Sequence, residues 1–196
     1  MEKYRENSSN DVKEEDTSMV IDDVDTDYIE DDDNTSSNNN DNDVTPKAPT
    51  ESVRDKIKKE YIGYLEIDKI NLKQGLVSKN SYYNNVKYNI QMLLTSDYPD
   101  KSLGNVILAG HSGTGYLAFF KNLYKLKIGD EAKVIYKGYV YTYKIVNIYN
   151  VPKIGTVRIN RDVNKTCLTL ITCTHNSKTE QTVYILELSS KNKDGG

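Results

Sequence analysis

One apolar stretch near the carboxyl end constrains the fold more than any other part of the sequence. It runs from Cys167 to Cys173, contains Leu, Ile and Thr side chains without a charge, and is followed by the polar cluster Thr174-His175-Asn176. A short apolar and β-branched run bounded by polar residues is typical of a buried strand. We therefore predict a strand that ends at Cys173, where a rigid scaffold can present a side chain to a substrate.

The two cysteines lie at opposite ends of this predicted strand. Six positions separate Cys167 from Cys173, which is roughly 20 Å at about 3.3 Å per residue. A disulfide requires Cα atoms within about 7 Å, so we predict that both thiols are reduced. Cys173 is then a candidate nucleophile. On chemistry alone, an alternative stays open in which Cys173 is a small buried apolar residue.

The charge of the chain divides it into two unlike parts. Residues 1–50 carry a net charge of −12 and the rest carries +9. Few apolar residues together with high charge cannot offset the entropy of ordering a chain, so we predict a disordered acidic tail or linker. A calcium-binding loop there is disfavoured because no Gly precedes Gly63. We expect one folded domain over residues 51–190 and a flexible carboxyl end over 191–196.

Composition also excludes several classes of protein. No run approaches the eighteen or so apolar residues of a membrane span, and the amino end lacks the features of a signal peptide. We therefore expect a soluble chain as given, with any membrane anchor outside it. The Lys residues are scattered without an Arg-rich stripe, which argues against a nucleic-acid partner.

Several other segments have recognisable patterns. Ser52 and Asp55 predict the start of a short helix that runs to about Glu60. A helix is also predicted where Tyr116, Phe119, Leu123 and Leu126 recur at helical spacing before Gly129, with its apolar side against the core.

The remaining patterns are short strands. They are predicted at about 61–70, 105–109, 133–136, 139–149 and 182–188, with a tight turn at Lys137-Gly138. Many short strands with one or two helices indicate a mostly antiparallel β-barrel or sandwich.

A thiol nucleophile needs an imidazole partner, and the chain has two His residues. His111 directly follows the buried strand 105–109, which gives it a rigid support. His175 lies two residues from Cys173, but on a loop that is poorly suited to hold one geometry. We favour His111, and His175 remains the alternative.

Three motifs together resemble the sortases, the cysteine transpeptidases of Gram-positive bacterial surfaces. The segment 168–173 (LTLITC) resembles their TLxTC signature, and 106–112 (VILAGHS) resembles the strand that ends at their catalytic His. The Phe, Leu and Gly-Asp residues of 119–130 are similar to the F-x-x-L-x-x-L-x-x-G-D segment that follows it. The motifs keep the family's order, and the resemblance covers about Tyr61 to Leu188.

This resemblance implies a mostly β fold, an eight-stranded sortase-type β-barrel with one or two short helices. It implies that Cys173 attacks the Thr carbonyl of an LPXTG-like sorting signal and forms a thioester, with His111 as proton donor and then as base. The implied acceptor is an amine from a peptidoglycan precursor or a pilin Lys. It implies no metal and no cofactor, and a place on the extracellular face of the cell membrane.

One departure from the family pattern concerns the Arg that sortases carry at the start of the strand after the Cys. Gln181, or Thr182 in a shifted alignment, occupies that place, and we predict that one of them orients the substrate or stabilises the oxyanion. Lys178, Arg158 or Arg161 are alternatives for this role.

Three functions stay open at the level of sequence. The first is a sortase transpeptidase, and the second is a cysteine peptidase that only hydrolyses its substrate. The third, motivated by the missing Arg, is a degenerate sortase-like protein that binds a sorting peptide without efficient catalysis.

Overall fold

The computed structural model describes residues 13–18, 52–153 and 156–195. Eight strands form one sheet in the order β3-β2-β6-β7-β10-β9-β5-β4, which curls into a nearly closed barrel. The bounds of these strands are β2 Tyr61–Ile67, β3 Leu72–Val77, β4 Gln91–Met92, β5 Asn105–Ala109, β6 Glu131–Tyr136, β7 Tyr139–Pro152, β9 Cys167–Cys173 and β10 Glu180–Lys193. Neighbouring strands are antiparallel except for the parallel pair β5 and β9. The predicted eight-stranded barrel is confirmed.

Side chains bridge the two ends of this sheet. Asn89, which precedes β4, accepts a hydrogen bond from Nε2 of Gln74 on β3 at 2.8 Å. Its own Nδ2 donates to the carbonyl oxygen of Gly75 at 2.9 Å. Because a buried amide must satisfy its donors and acceptor, these bonds hold β3 beside β4 and help to close the barrel.

A helix and a hairpin form where the sequence predicts them. The helix α1 (Val53–Lys59) begins at Ser52, whose side chain accepts a hydrogen bond from the backbone N–H of Asp55 at 3.2 Å. The hairpin between β6 and β7 turns at Lys137 and Gly138, whose φ angles are 49° and 74°. Two positive φ angles in a two-residue loop match the twist of the flanking strands.

Strand β9 is buried on both faces. Leu168 and Leu170 face the barrel interior in the main core cluster. Ile171 belongs to a second cluster outside the barrel, which contains Ala109 of β5 and is covered by Ile159. Burial on both faces explains why the sequence of β9 is continuously apolar instead of alternating.

Two strands lie outside the barrel sheet. They are β1 (Lys13–Ser18) and β8 (Thr156–Arg161), which pair with each other in antiparallel register. Strand β1 accounts for six residues of the segment predicted as an acidic tail. The rest of residues 1–50, including the rejected calcium loop, lies outside the described residues.

The predicted helix before Gly129 is wrong. The segment contains only a 3-10 turn, Leu123–Lys125, and Leu126 is already extended. The N–H of Phe120 donates to the carbonyl oxygen of His111 at 2.9 Å instead of to the preceding turn. Of the four residues predicted to face the core, Leu123 and Leu126 are buried and Phe119 packs against the core, whereas Tyr116 is 59% exposed.

The carboxyl end is more ordered than the sequence suggests. Strand β10 continues to Lys193, which pairs with Tyr139, so the sheet extends past residue 190. Lys191 places its ammonium 4.5 Å from the ring centroid of Tyr139, a cation–π contact that favours this extension. No helix in the described ranges has the length and apolar character that a bilayer span requires.

Candidate active site

The parallel pairing of β5 and β9 brings the two strand ends predicted for the site together. The register pairs Ala109 with Ile171, and the N–H of Gly110 donates to the carbonyl oxygen of Ile171 at 3.2 Å. Thr172 Oγ1 donates to the carbonyl oxygen of Gly110 at 2.7 Å, which ties the strands at their ends. Ala109 and Ile171 are the last register pair; His111 lies two residues after Ala109, and Cys173 lies two residues after Ile171. They therefore occupy matched positions at one edge of the sheet.

The two residues differ in burial. His111 is 9% exposed, and its carbonyl oxygen accepts the N–H of Phe120, which fixes the backbone around it. Cys173 is partly exposed at the end of its strand. Nucleophilic cysteine chemistry requires an imidazole and an accessible thiol, and these two strand ends carry one of each.

A small pocket, which we call the Cys173 pocket, opens at this edge of the barrel. Its lining residues are Ser112, Phe120, Lys121, Tyr124, Thr172, Cys173, His175, Thr182 and Tyr184. The lining therefore combines hydroxyl groups, aromatic rings and one ammonium around the thiol-bearing residue. Sequence analysis misses Lys121 and Tyr124, because their segment is predicted there to be a helix packed on the core.

His175 lies on the loop between β9 and β10 and is exposed. Its ring stacks on that of Tyr124, with centroids 3.9 Å apart and planes within 7°. This contact holds the loop against the segment after β5. The stack gives His175 a fixed place in the pocket wall, although sequence analysis treats it as a mobile loop residue.

The register between β9 and β10 places the side chains of Gln181 and Thr182 on opposite faces of the sheet. Gln181 pairs directly with Cys173, so both side chains lie on the same face of the sheet. Thr182 pairs with Thr172 and lies on the other face, where its hydroxyl donates to Asn150 Oδ1 at 3.0 Å. Of the two predicted candidates, Gln181 therefore shares a face of the sheet with Cys173, whereas Thr182 shares the lining of the Cys173 pocket with it.

The side chain of Gln181 is fully buried, with 0% exposure. Neither Nε2 nor Oε1 has a hydrogen-bond partner among the described residues. A buried amide without partners is costly to the folded state. Gln181 can thus offer both a donor and an acceptor beside Cys173.

The model of the Sortase domain family matches residues 65–188, which is more than half of the chain. The chain belongs to the sortase family. No curated protein is similar enough to it to count as a match. Membership of this family supports a transpeptidase.

Solved sortase structures of several classes are similar to this sortase. Sortase C1 from Streptococcus agalactiae is 26% identical, with a TM-score of 0.56 over 71% of this chain and 78% of that one. A sortase D5 transpeptidase from Clostridium perfringens is 22% identical, with a TM-score of 0.54 over 71% and 90%. Listeria monocytogenes sortase A is 18% identical, with a TM-score of 0.54 over 68% and 90%.

The basic residues considered as substitutes for the family Arg lie in different surroundings. Arg161 is buried at the other end of β9, where its Nη1 donates to the carbonyl oxygens of Leu103 at 3.3 Å and Lys165 at 3.4 Å. The suggestion that Arg161 moves into the site is therefore wrong. Arg158 on β8 and Lys178 on the loop after Cys173 are exposed.

The second cysteine of this sortase is a structural thiol. Cys167 has 0% exposure, and its Sγ donates to the carbonyl oxygens of Lys165 at 3.6 Å and Asp162 at 3.8 Å. Burial raises the pKa of the Cys167 thiol to about 11. Neither cysteine, both of which the structure describes, forms a disulfide, as predicted.

The described residues contain no group of three or more His, Cys, Asp or Glu side chains that could hold a metal ion.

Proposed function

We propose that this sortase cleaves an LPXTG-like sorting signal through a thioester on Cys173 and transfers the acyl group to an amine. The observation that carries this proposal is the matched position of His111 and Cys173 at the ends of two hydrogen-bonded strands. Such a pair, fixed by neighbouring strands, needs little rearrangement to act as nucleophile and proton carrier.

In the first acyl transfer, the Cys173 thiol passes its proton to the His111 imidazole, and the sulfur attacks the Thr carbonyl carbon of the sorting signal. A C–S bond forms, the scissile C–N bond breaks, and the imidazolium of His111 protonates the departing amine. In the second transfer, an amine attacks the thioester, His111 accepts its proton, and the C–S bond breaks. The proton then returns to the Cys173 sulfur, which restores the resting thiol.

We assign Gln181 the place that an Arg fills in other sortases. Its Nε2 can donate a hydrogen bond to the oxyanion, and its Oε1 can accept one from the substrate backbone. What supports this role is the burial of the amide, its lack of partners among the described residues, and its register with Cys173. A neutral amide brings no charge, so we expect weaker stabilisation than an Arg provides. Thr182 would contribute only indirectly, from the opposite face.

The proposed partners are a sorting-signal peptide of a surface protein and an amine from a peptidoglycan precursor or a pilin Lys. Because these partners meet outside the cell, we propose that the enzyme works at the extracellular face of the cell membrane.

The decisive experiment is intact-mass analysis of the protein with peptides that contain an LPXTG-like motif. We expect a mass increase equal to the acyl fragment on Cys173, absent in Cys173→Ala and present in Cys167→Ala. Addition of an amine should release this adduct as a ligated peptide. A protein that never acylates with any such peptide contradicts the proposal.

The neutral Gln181 favours a second candidate, a degenerate sortase that binds a sorting peptide without efficient catalysis. Peptide binding by calorimetry without any thioester would support this candidate. A thioester that yields only hydrolysed peptide in the presence of amines would instead indicate a peptidase.

A further inference from the structure

The segment that follows β5 is anchored on the end of that strand. The N–H of Phe120 donates to the carbonyl oxygen of His111 at 2.9 Å. The Phe120 ring packs on Gly110, where an added Cβ atom would lie 3.0 Å from the ring. Phe120 is 1% exposed and belongs to the main core cluster. The backbone that carries the His111 imidazole is therefore fixed against Phe120.

A short turn connects Phe120 to the stack on His175. Leu123 is fully buried, and its N–H donates to the carbonyl oxygen of Phe120 at 3.0 Å. Tyr124 directly follows Leu123, and its ring lies 3.9 Å from that of His175, measured between centroids. We call residues 120–124 the brace, because they contact one strand end through Phe120 and the loop after the other strand through Tyr124.

The loop that carries His175 is tied to the start of β10. The N–H of Thr174 donates to the carbonyl oxygen of Glu180 at 3.0 Å, and the hydroxyl oxygens of Thr174 and Thr182 are 2.9 Å apart. These bonds fix the one residue that separates Cys173 from His175. A ring that is held at His175 therefore also restricts the backbone of Cys173.

The stack lies away from the face on which Gln181 would meet a substrate. Its two rings line the Cys173 pocket together with Thr172 and Thr182. Side chains alternate between the faces of a sheet, so both Thr side chains lie on the face opposite to Gln181. The stack can thus influence the reaction through the residues that it holds, without contact to the substrate.

We propose that Tyr124 is a positioning residue, which holds the His111 imidazole and the Cys173 thiol in one relative geometry through its stack on His175. Hydrogen bonds between β5 and β9 fix the two backbones before these residues, and the brace adds a link beyond the last of those bonds. A reaction between two side chains depends steeply on their distance, so this link raises the fraction of productive geometries. Tyr124 forms and breaks no bond. The inference rests on the proposed transpeptidation and adds one residue to its machinery.

Tyr124→Ala removes the stack and tests the brace in turnover. We expect kcat for cleavage of a sorting peptide to fall about 10-fold, the most that one aromatic pair supports, with KM within about 2-fold. Tyr124→Phe keeps the ring and should retain the activity, although it lacks the hydroxyl. Tyr116→Ala is the matched control, because Tyr116 is exposed on the same connection and its ring contacts Arg54. An equal loss in Tyr124→Phe, or no loss in Tyr124→Ala, overturns the proposal.

A second readout needs no sorting peptide. A neighbouring imidazole increases the thiolate fraction of a cysteine, so alkylation of Cys173 by iodoacetamide at about pH 7 reports on the pair. We expect Tyr124→Ala to lower the rate constant about 3-fold in the unmodified background and to leave it unchanged in His111→Ala. Any other pattern, including equal losses in both backgrounds, refutes the positioning role even when the thioester forms. If no sorting peptide forms a thioester but this pattern is found, transpeptidation is refuted while the brace stands.

Discussion

The two ends of β9 carry the same side chain in opposite surroundings. At Cys167 the strand is covered on both faces, the thiol has 0% exposure, and Arg161 fixes the adjoining loop through backbone carbonyls. At Cys173 the strand ends beside His111, and the residue borders a pocket. Residue type is the same at both ends, so only the environment distinguishes a structural thiol from a candidate nucleophile.

The surroundings of the two thiols differ because the chain covers the two ends of β9 differently. The turn before β9 packs against Leu103, whose N–H donates to Thr166 Oγ1 at 2.9 Å, so that end is closed by the chain itself. At the other end the chain leaves through the exposed loop of His175, which is held by the stack on Tyr124 and by the N–H of Thr174, which donates to the carbonyl oxygen of Glu180 at 3.0 Å. A closed end keeps a thiol protonated through desolvation, whereas an open end admits a substrate.

The largest expected effect concerns turnover. Cys173→Ala and His111→Ala should each lower the rate of peptide cleavage by more than about 1000-fold, because each removes a group that forms or moves a bond. Cys167→Ala should keep at least about half of the activity, and His175→Ala should remain active. Cleavage of a fluorescent sorting peptide measures these rates. Activity that survives His111→Ala and disappears in His175→Ala would reverse the choice of imidazole.

The next effect concerns alkylation of the folded protein at pH 8. A thiol with a pKa of about 11 is about one part in 1000 thiolate at this pH, and Cys167 is also sealed from the reagent. We expect iodoacetamide to label Cys173 more than about 100-fold faster than Cys167, as read by peptide mapping. In about 6 M guanidinium both should react at similar rates. Comparable labelling in the folded state would remove the distinction between the two ends.

A smaller effect is expected at Gln181. Gln181→Leu should lower the rate of acylation about 100-fold, because it deletes the proposed hydrogen-bond donor to the oxyanion. Thr182→Val, which changes a hydroxyl on the opposite face, should cost less than about 5-fold. Gln181→Arg restores the family residue and should be at least as active as the unmodified protein. Single-turnover acylation measures each rate, and equal losses in Gln181→Leu and Thr182→Val would contradict the assignment.

The smallest effect is on stability at alkaline pH. Burial raises the pKa of Cys167 from 9.0 to about 11, so between these pH values the unfolded thiol ionises and the folded one does not. The unfolded state then binds fewer protons, and the free energy of unfolding falls as pH rises. This contribution, up to about 2–3 kcal/mol, is complete below pH 9 and is lost by about pH 11.

Urea unfolding of two variants isolates this contribution. Cys173→Ala keeps the Cys167 thiol, and the double variant Cys173→Ala/Cys167→Ala lacks both. Between pH 8.5 and 10.5 the single variant should lose about 2 kcal/mol more stability than the double variant. The buried Tyr184, whose pKa is raised to about 12, contributes equally to both. Identical losses would show that Cys167 is not sealed.

Much of the barrel follows from local sequence. The apolar runs of β5 and β9, the turn at Lys137-Gly138 and the Ser52 cap are each encoded within about ten residues, and all are confirmed. Strand β8 is missed, because Pro152 and Gly155 mark its approach as a connection. The Tyr149 hydroxyl of β7 bonds to the backbone of β8. It donates to the carbonyl oxygen of Arg158 at 2.8 Å and accepts a hydrogen bond from the N–H of Asn160 at 2.8 Å.

The sequence by itself determined which residues could react and where their strands end, because the pattern of apolar and turn residues that defines a strand is local in the sequence. It left Gln181 and Thr182 equivalent, and it assigned the segment of Lys121 and Tyr124 to a helix. Only the tertiary structure decided these points, since a one-residue shift in register exchanges the faces of a strand. The register between β9 and β10 pairs Gln181 with Cys173 and Thr182 with Thr172, and this pairing joins residues of two different strands.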